Sequence, residues 1–228
     1  MCCGDVETMS KGYFITGTDT EVGKTRVSVA LLHRLQQQGL RAAGMKPVAA
    51  GCEETAAGLR NDDALALQAA SSVALPYETL NPYALAPPIA PHLAARDAGV
   101  VIEIDRILAA YRTIAAQVDS VVVEGAGGWR VPLNDDQDMS DLAVALGLPV
   151  VLVVDIRLGC INHALLSTQA IASSGLPLAG WVANHAHGDY ARSADNIASI
   201  EARIGTPLLG VIPHHGDITT GQVADLRW

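Results

Sequence analysis

The chain alternates short apolar runs with longer stretches in which apolar residues recur at helical spacing. Aliphatic and β-branched runs fall at residues 13–16, 42–45, 120–124, 150–155, 178–184 and 208–212. Ala- and Leu-rich stretches of helical length lie at 24–38, 64–70, 105–117, 162–174 and 191–203. The runs VVVEG and PVVLVVD are apolar at consecutive rather than alternate positions. Strands of that kind are buried on both faces, which predicts a parallel sheet between helices. The punctuation agrees: Gly39, Gly147, Gly175 and Gly205 each stand just past a helical stretch, where a left-handed residue closes a helix, and Pro149, Pro177 and Pro207 follow within two residues. Five prolines between residues 76 and 92 predict an excursion with turns rather than a sheet strand. The reading is one α/β domain over residues 13–228, mostly parallel and doubly wound, behind a flexible leader of residues 1–12. Such sheets bind ligands outside the carboxyl ends of their strands, so the residues directly after each strand are the candidates for chemistry.

After the first strand comes Gly17-Thr-Asp-Thr-Glu-Val-Gly23-Lys24-Thr25, and then a helix. Glycines let successive backbone N–H groups turn into one concavity, and the helix start adds partial positive charge. A lysine in this position reaches the β- and γ-phosphates of a nucleotide, and the following hydroxyl ligates Mg²⁺. The spacing has five residues between the glycines where the commonest loop has four. A chance match in such a chain is expected about 0.002 times, so the segment predicts a P-loop NTPase with a variant loop.

Other strand ends add polar groups. Lys46 follows the second strand and precedes Pro47, which keeps it extended; it either serves an anionic substrate on the phosphate rim or snorkels at the surface. Asp62 or Asp63 either caps the helix of residues 64–70 or joins the site. Glu124 ends a buried run before Gly125-Ala126-Gly127-Gly128, and a carboxylate there has a desolvation cost unless a cation offsets it, which points to Mg²⁺, with a plain tight turn after the strand the alternative. Asp155 is an acceptor for the turn that follows it. Gly159-Cys160-Ile161-Asn162 opens a helix whose free N–H groups suit a carboxylate, with Asn162 as an ordinary cap the alternative. Asn184 offers a donor and an acceptor side by side, matching the N6/N7 edge of adenine, or caps a turn. His185, His187, His214 and His215 lack metal-ligand spacing and are expected to face solvent or flank the nucleotide.

Composition narrows the partners. Fifteen basic against 24 acidic residues give a net charge of −9, which disfavours binding to a phosphate backbone and argues against nucleic acid. The longest apolar run, residues 148–154, is too short to span a bilayer, and residues 1–11 lack an apolar signal core. Cys2, Cys3, Cys52 and Cys160 show neither a disulfide framework nor metal spacing. The expectation is a cytoplasmic protein away from membranes.

Taken together and in order, GTDTEVGKT after YFIT, AGMKPVAAG, LRNDDALALQ, NPY, VVVEGAGGW, LVVDIRLGCINHALLS and LAGWVANH resemble the dethiobiotin synthetases of the P-loop superfamily. The resemblance runs from about residue 13 to residue 215. It implies an ATP- and Mg²⁺-dependent cyclo-ligase of biotin biosynthesis, acting at the penultimate step. Its substrates are 7,8-diaminopelargonic acid (7,8-diaminononanoate) and CO2, and its products dethiobiotin, ADP and phosphate, by way of a carbamate and a carbamic-phosphoric anhydride. Carried over by position, Glu21, Val22, Gly23, Lys24, Thr25 and Arg26 wrap the ATP phosphates, and Thr25, Asp63 and Glu124 arrange the metal. Lys24 and Lys46 flank the carbamate and the γ-phosphate, and Thr20 touches the substrate. Glu124, Gly125, Ala126, Gly127, Asn184, His185, Pro213, His214 and His215 contact the nucleotide. The family is a homodimer in which Gly159, Cys160, Ile161 and Asn162 of one subunit hold the substrate carboxylate of the other. Ala50 stands at a substrate-binding position where the family usually has Ser, and His185 where it often has Asp. The competing class is the regulatory ATPases of the partitioning and septum-site type, which carry a lysine near the start of the loop where this chain has Thr18-Asp19.

Overall fold

A computed structural model of the protein describes residues 11–188 and 190–214. In chain order the elements are β1 (Lys11–Gly17), α1 (Lys24–Gln37), β2 (Ala42–Met45), β3 (Val48–Ala50), β4 (Glu53–Thr55), β5 (Gly58–Arg60), α2 (Asp62–Ala70), α3 (Tyr77–Leu80), β6 (Tyr83–Leu85), α4 (Pro91–Asp97), α5 (Ile104–Ala115), β7 (Ser120–Gly128), α6 (Met139–Leu146), β8 (Val150–Asp155), α7 (Cys160–Ser173), β9 (Leu178–Asn184), α8 (Ser193–Ile204) and β10 (Leu208–Ile212). Six strands form one sheet in the order β10-β9-β8-β1-β7-β2, and every pairing in it is parallel. The chain leaves β1 toward β2 on one side and later reaches β8 on the other, so β1 sits where the winding reverses.

The consecutive apolar runs have the predicted cause. In β8, Val150, Leu152 and Val154 pack into one hydrophobic layer, and Val151 and Val153 into the other. The first layer is closed by Ile107 and Ile114 of α5, Leu142 of α6, Ala164 of α7 and Ile200 of α8; the second is closed by Val27 and Leu31 of α1 and Leu67 of α2. Each fully buried Val, Leu or Ile side chain among them contributes roughly 1.5–3 kcal/mol. Left-handed glycines end the helices as expected, with φ of 83°, 65°, 80° and 71° at Gly39, Gly147, Gly175 and Gly205. No helix among the described residues is long and apolar enough to cross a membrane.

The structure departs from the sequence reading in several places. Strand β1 takes in Lys11 and Gly12, which that reading leaves to the leader; residues 1–10 lie outside the described ones. The proline-rich excursion does contain a strand: β6 pairs in parallel with β3, in a separate two-stranded sheet to one side of the main one. Prolines at its flanks do not prevent this, because they leave the three pairing residues their own N–H groups. Strand β7 does not stop at Glu124 but continues to Gly128. Ile15 pairs with Glu124 and Gly17 with Gly128, so the small residues between form a bulge within the strand rather than a turn after it. Finally, neither Asp62 nor Asp63 caps α2. Asn61 does, its Oδ1 accepting from the Ala64 N–H at 3.2 Å.

Candidate functional site

All six strands of the main sheet run the same way, so their carboxyl ends deliver polar residues to one rim. The loop after β1 is held in an unusual backbone. Glu21 has φ of 59°, and Gly23 has φ of 87° as the residue before α1. A Cβ at Gly23 would lie 2.1 Å from the Asn184 amide nitrogen, so both conformation and space require glycine there. Helix α1 has no side-chain cap and no acidic residue in its first turn, which leaves its N–H groups and their partial positive charge directed at the loop. Helix α6 shows the contrast: Asp138 and Asp141 form a complete capping box that consumes the same donors.

Two ammonium groups converge behind this loop. Lys24 is 6% exposed, and its Nζ donates to the Asp19 carbonyl at 3.0 Å. Burial, and after it the nearby charge of Lys46, lower its pKa to about 8. Lys46 is not a snorkelling residue. It is 5% exposed, with its Nζ 2.6 Å from Glu124 Oε1 and 3.2 Å from Asp63 Oδ2. Burial works against the Lys46 charge, but Glu124 and Asp63 outweigh it and hold the pKa above the ordinary value. Burial likewise works against the Asp63 carboxylate, and Lys46, the Thr25 hydroxyl and Lys24 together hold its pKa below the ordinary value.

Glu124 is fully buried. Its Oε1 accepts from the Thr25 hydroxyl at 2.9 Å as well as from Lys46, while its Oε2 has no hydrogen-bond partner. An orphaned, fully buried carboxylate oxygen is costly and marks a place for another positive ligand. Thr25, Asp63 and Glu124 offer hard oxygen donors only, and this set fits Mg²⁺, which is typically held by one or two carboxylates together with substrate phosphates. Among the described residues no group of three His, Cys, Asp or Glu side chains converges as a self-sufficient metal cage.

A second group forms at the neighbouring strand ends. Asn184 Nδ2 donates to the Val22 carbonyl at 2.7 Å, Arg26 donates to the Pro213 carbonyl at 3.1 Å, and the His185 N–H donates to the Ile212 carbonyl at 3.0 Å. His214 Nδ1 lies 2.9 Å from the His185 carbonyl. Asn184 thus braces the phosphate loop rather than capping a turn, and its Oδ1 is buried without a partner. His185 is buried rather than solvent-facing. His187 Nδ1 lies 2.8 Å from Asp155 Oδ2, and Asp155 also accepts from the Ala186 N–H at 3.0 Å. His215 lies outside the described residues. Thr20 is exposed on the loop, with its Oγ1 3.5 Å from where a Cβ of Gly127 would stand, which sets the bulge of β7 beside it.

The remaining sequence-predicted residues stand on other segments. Gly125 and Ala126 lie in the β7 bulge, and Ala50 ends β3, half-buried. Gly159 precedes α7, so Asn162 is its third residue and not its cap; this helix start has neither a side-chain cap nor a first-turn acid. Arg157 links it to the rim, 3.2 Å from Asp19 and 3.3 Å from Asp155. Arg157 was not singled out by sequence, and no local motif marks it. Tyr77 and Asn81 were also missed as contributors: Asn81 Nδ2 donates to the Lys46 carbonyl at 2.6 Å. The Asn-Pro-Tyr triplet at residues 81–83 was the available signal.

Comparison with known proteins follows the same lines. A family model described as an AAA domain matches residues 11–222. The ATP-dependent dethiobiotin synthetase of Pseudomonas aeruginosa is 55% identical over 219 residues, covering 94% of this chain and 96% of that protein. The corresponding protein of Aromatoleum aromaticum is 52% identical over 217 residues, covering 95% and 96%. Among solved structures, the cell division protein MinD of Aquifex aeolicus superposes with a TM-score of 0.56 at 14% identity, covering 95% of this chain and 87% of that one. A ParA family ATPase from Chlorobium tepidum gives 0.54 at 15%, covering 96% and 90%. At those identities the second likeness is one of fold, a P-loop α/β domain. The first extends over nearly the whole sequence, and by it the chain belongs to the dethiobiotin synthetase family of ATP-dependent ligases.

Proposed function

We propose that this chain closes the ureido ring of dethiobiotin from 7,8-diaminopelargonic acid, CO2 and MgATP, as the penultimate step of biotin biosynthesis. The observation that carries the reading is the pair of buried ammonium groups, Lys24 and Lys46, beside the phosphate loop. The reaction has to bring two anions together, a carbamate and a triphosphate, and fixed positive charge in a dehydrated site is what makes such an approach possible.

One amine of the substrate captures CO2 and loses a proton, giving the carbamate. A carbamate oxygen then attacks the γ-phosphorus, ADP leaves, and the carbonyl carbon now carries a phosphate. The second amine attacks that carbon, phosphate departs with the bonding electrons, the amine loses its proton, and the five-membered urea is complete. Lys46 faces the carbamate and γ-phosphate, Lys24 the β- and γ-phosphates, and Thr20 the substrate. The N–H groups from Glu21 to Arg26 cradle the phosphates. Thr25, Asp63 and Glu124 would hold Mg²⁺, which when bound neutralises phosphate charge. Gly125, Ala126, Gly127, Asn184, His185, Pro213 and His214 border the nucleotide, and the orphaned Asn184 Oδ1 supports a role as acceptor for an adenine amino group. His215 is assigned there by resemblance alone. The uncapped start of α7, Gly159 to Asn162, supports capture of a carboxylate, in a homodimer, from the partner's substrate. Ala50 borders the substrate without a hydroxyl to offer, and the chain acts in the cytoplasm.

The test is mass spectrometry of the product formed by purified protein from the diamine, ¹³C-labelled CO2 and MgATP. The cyclic urea with one labelled carbon, formed only when all three are present, is the expected result. Phosphate release at the same rate without the diamine would overturn the reading in favour of a nucleotide switch.

A further inference from the structure

The position of the Lys46 ammonium depends on its backbone, and that backbone is gripped by side chains to which the proposed reaction assigns nothing. Asn81 is 3% exposed; its Nδ2 donates to the Lys46 carbonyl at 2.6 Å and its Oδ1 accepts from the Tyr77 hydroxyl at 3.0 Å. The same hydroxyl accepts from the Asn61 N–H at 2.9 Å. Asn61 is the cap of α2, and Asp63 lies two residues further on. The Lys46 N–H donates to the Leu80 carbonyl at 3.0 Å, so the segment from Tyr77 to Asn81 holds Lys46 by both of its backbone groups. The Tyr77 ring is itself fixed from outside by the Arg60 guanidinium, 4.1 Å from its centroid.

We infer that Tyr77 and Asn81 form a clamp that sets the separation of Lys46 from Asp63, and that they are therefore positioning residues for turnover; this deepens the reaction proposed above and rests on it. Three hydrogen bonds in series run from the Lys46 carbonyl through Asn81 and the Tyr77 oxygen to the start of α2. The largely exposed β4–β5 hairpin between them does not brace that distance, and the Ser71 and Ser72 hydroxyls, which accept from the Gly44 and Ala42 N–H groups, tie only the far end of α2 to β2. The clamp does: Tyr77 is 6% exposed, and losing its hydroxyl leaves the Asn81 carbonyl oxygen and the Asn61 N–H without their partner in a place water barely reaches. A displacement of about 1 Å in a charged group at a reacting centre is enough to cost on the order of a hundredfold in rate.

The bland alternative is that Asn81 merely satisfies a buried carbonyl and serves stability alone. The two readings part in the kinetics of Tyr77→Phe and Asn81→Ala in the full chain, assayed with the diamine, CO2 and MgATP. Positioning predicts kcat about ten- to a hundredfold lower per folded enzyme, with the KM for MgATP within about threefold of the parent. A lowered melting temperature with kcat unchanged overturns the inference. Should Asn81→Ala fail to fold, Tyr77→Phe, which deletes a single oxygen, carries the test. If the parent protein itself makes no cyclic urea, the proposed reaction fails separately, and a crystal structure of Tyr77→Phe decides the clamp. The 3.2 Å Lys46–Asp63 contact should open beyond about 4 Å, and its persistence would refute the clamp.

Discussion

Replacing Lys46 by methionine keeps the length and most of the packing of its stem and removes the charge. Two carboxylates lose a partner, but unequally. Asp63 has 45% of its side chain exposed, and water takes over much of the role of the ammonium there; a pair of that kind contributes only about 0–1 kcal/mol. Glu124 has no exposure, lies 2.6 Å from Lys46, and already carries one oxygen without a partner. Breaking a buried pair on one side costs about 3–5 kcal/mol, because the remaining charge is left stranded. For a domain of this size that corresponds to a melting temperature about 6–20 °C lower. The double substitution Lys46→Met with Glu124→Gln removes both charges and should recover most of the loss. Urea unfolding in a chelator, which excludes any divalent ion from the comparison, measures this directly. Turnover behaves differently: both variants should lose about 2–4 kcal/mol of transition-state stabilisation, roughly 30- to 900-fold in rate, because neither restores the cation. If Lys46→Met unfolds within about 1 kcal/mol of the parent, or the double variant is no more stable than the single, the stranded charge is not what the ion pair prevents. A rate within about threefold would remove Lys46 from the chemistry.

Three more outcomes follow from the geometry. Glu124→Gln should raise the Mg²⁺ concentration for half-maximal turnover by roughly tenfold or more, and an unchanged titration would take Glu124 out of the metal's surroundings. Gly23→Ala forces a side chain into φ of 87° and against Asn184, adding at least about 1–2 kcal/mol of strain; a melting temperature within 1–2 °C of the parent would show that the loop relaxes freely. Burial works against the Asp138 carboxylate, but Ser140 and Arg130 outweigh it and hold its pKa below the ordinary value, so its contribution to stability is complete above that value and is lost as the pH falls through the depressed one. Asp138→Ala should therefore cost about 1 kcal/mol at pH 7 and progressively less below about pH 4; a gap constant from pH 7 to pH 3 would exclude the charge as its source.

What could be read from sequence was local or periodic. The bounds of β2, β8, β9 and β10 agree with the apolar runs because a proline stands just before β8, β9 and β10 and just after β2 and β10. Lys24 and Thr25 were legible through a fixed spacing, and Glu124 through the improbability of an acid in a buried run. The pairing of Lys46 with Glu124 joins residues 78 apart and has no local signature. The β3–β6 pair was hidden among prolines, and Asn61 behind two aspartates equally suited to capping. The family likeness named Asp63 and Asn184 where spacing left them open. It did not reveal that Asn184 braces the loop from beneath, because that follows from how β9 lies against β1 through β8.

The chain passes from β2 of the main sheet to β3 of the small one across only Lys46 and Pro47. A lever with so short an arm transmits nearly all of its rotation. Any load that tilts the small sheet is therefore delivered to the Lys46 backbone. The small sheet and the Lys46 ammonium are in that sense one mechanical unit, and substitutions in the former should shift the latter without touching it.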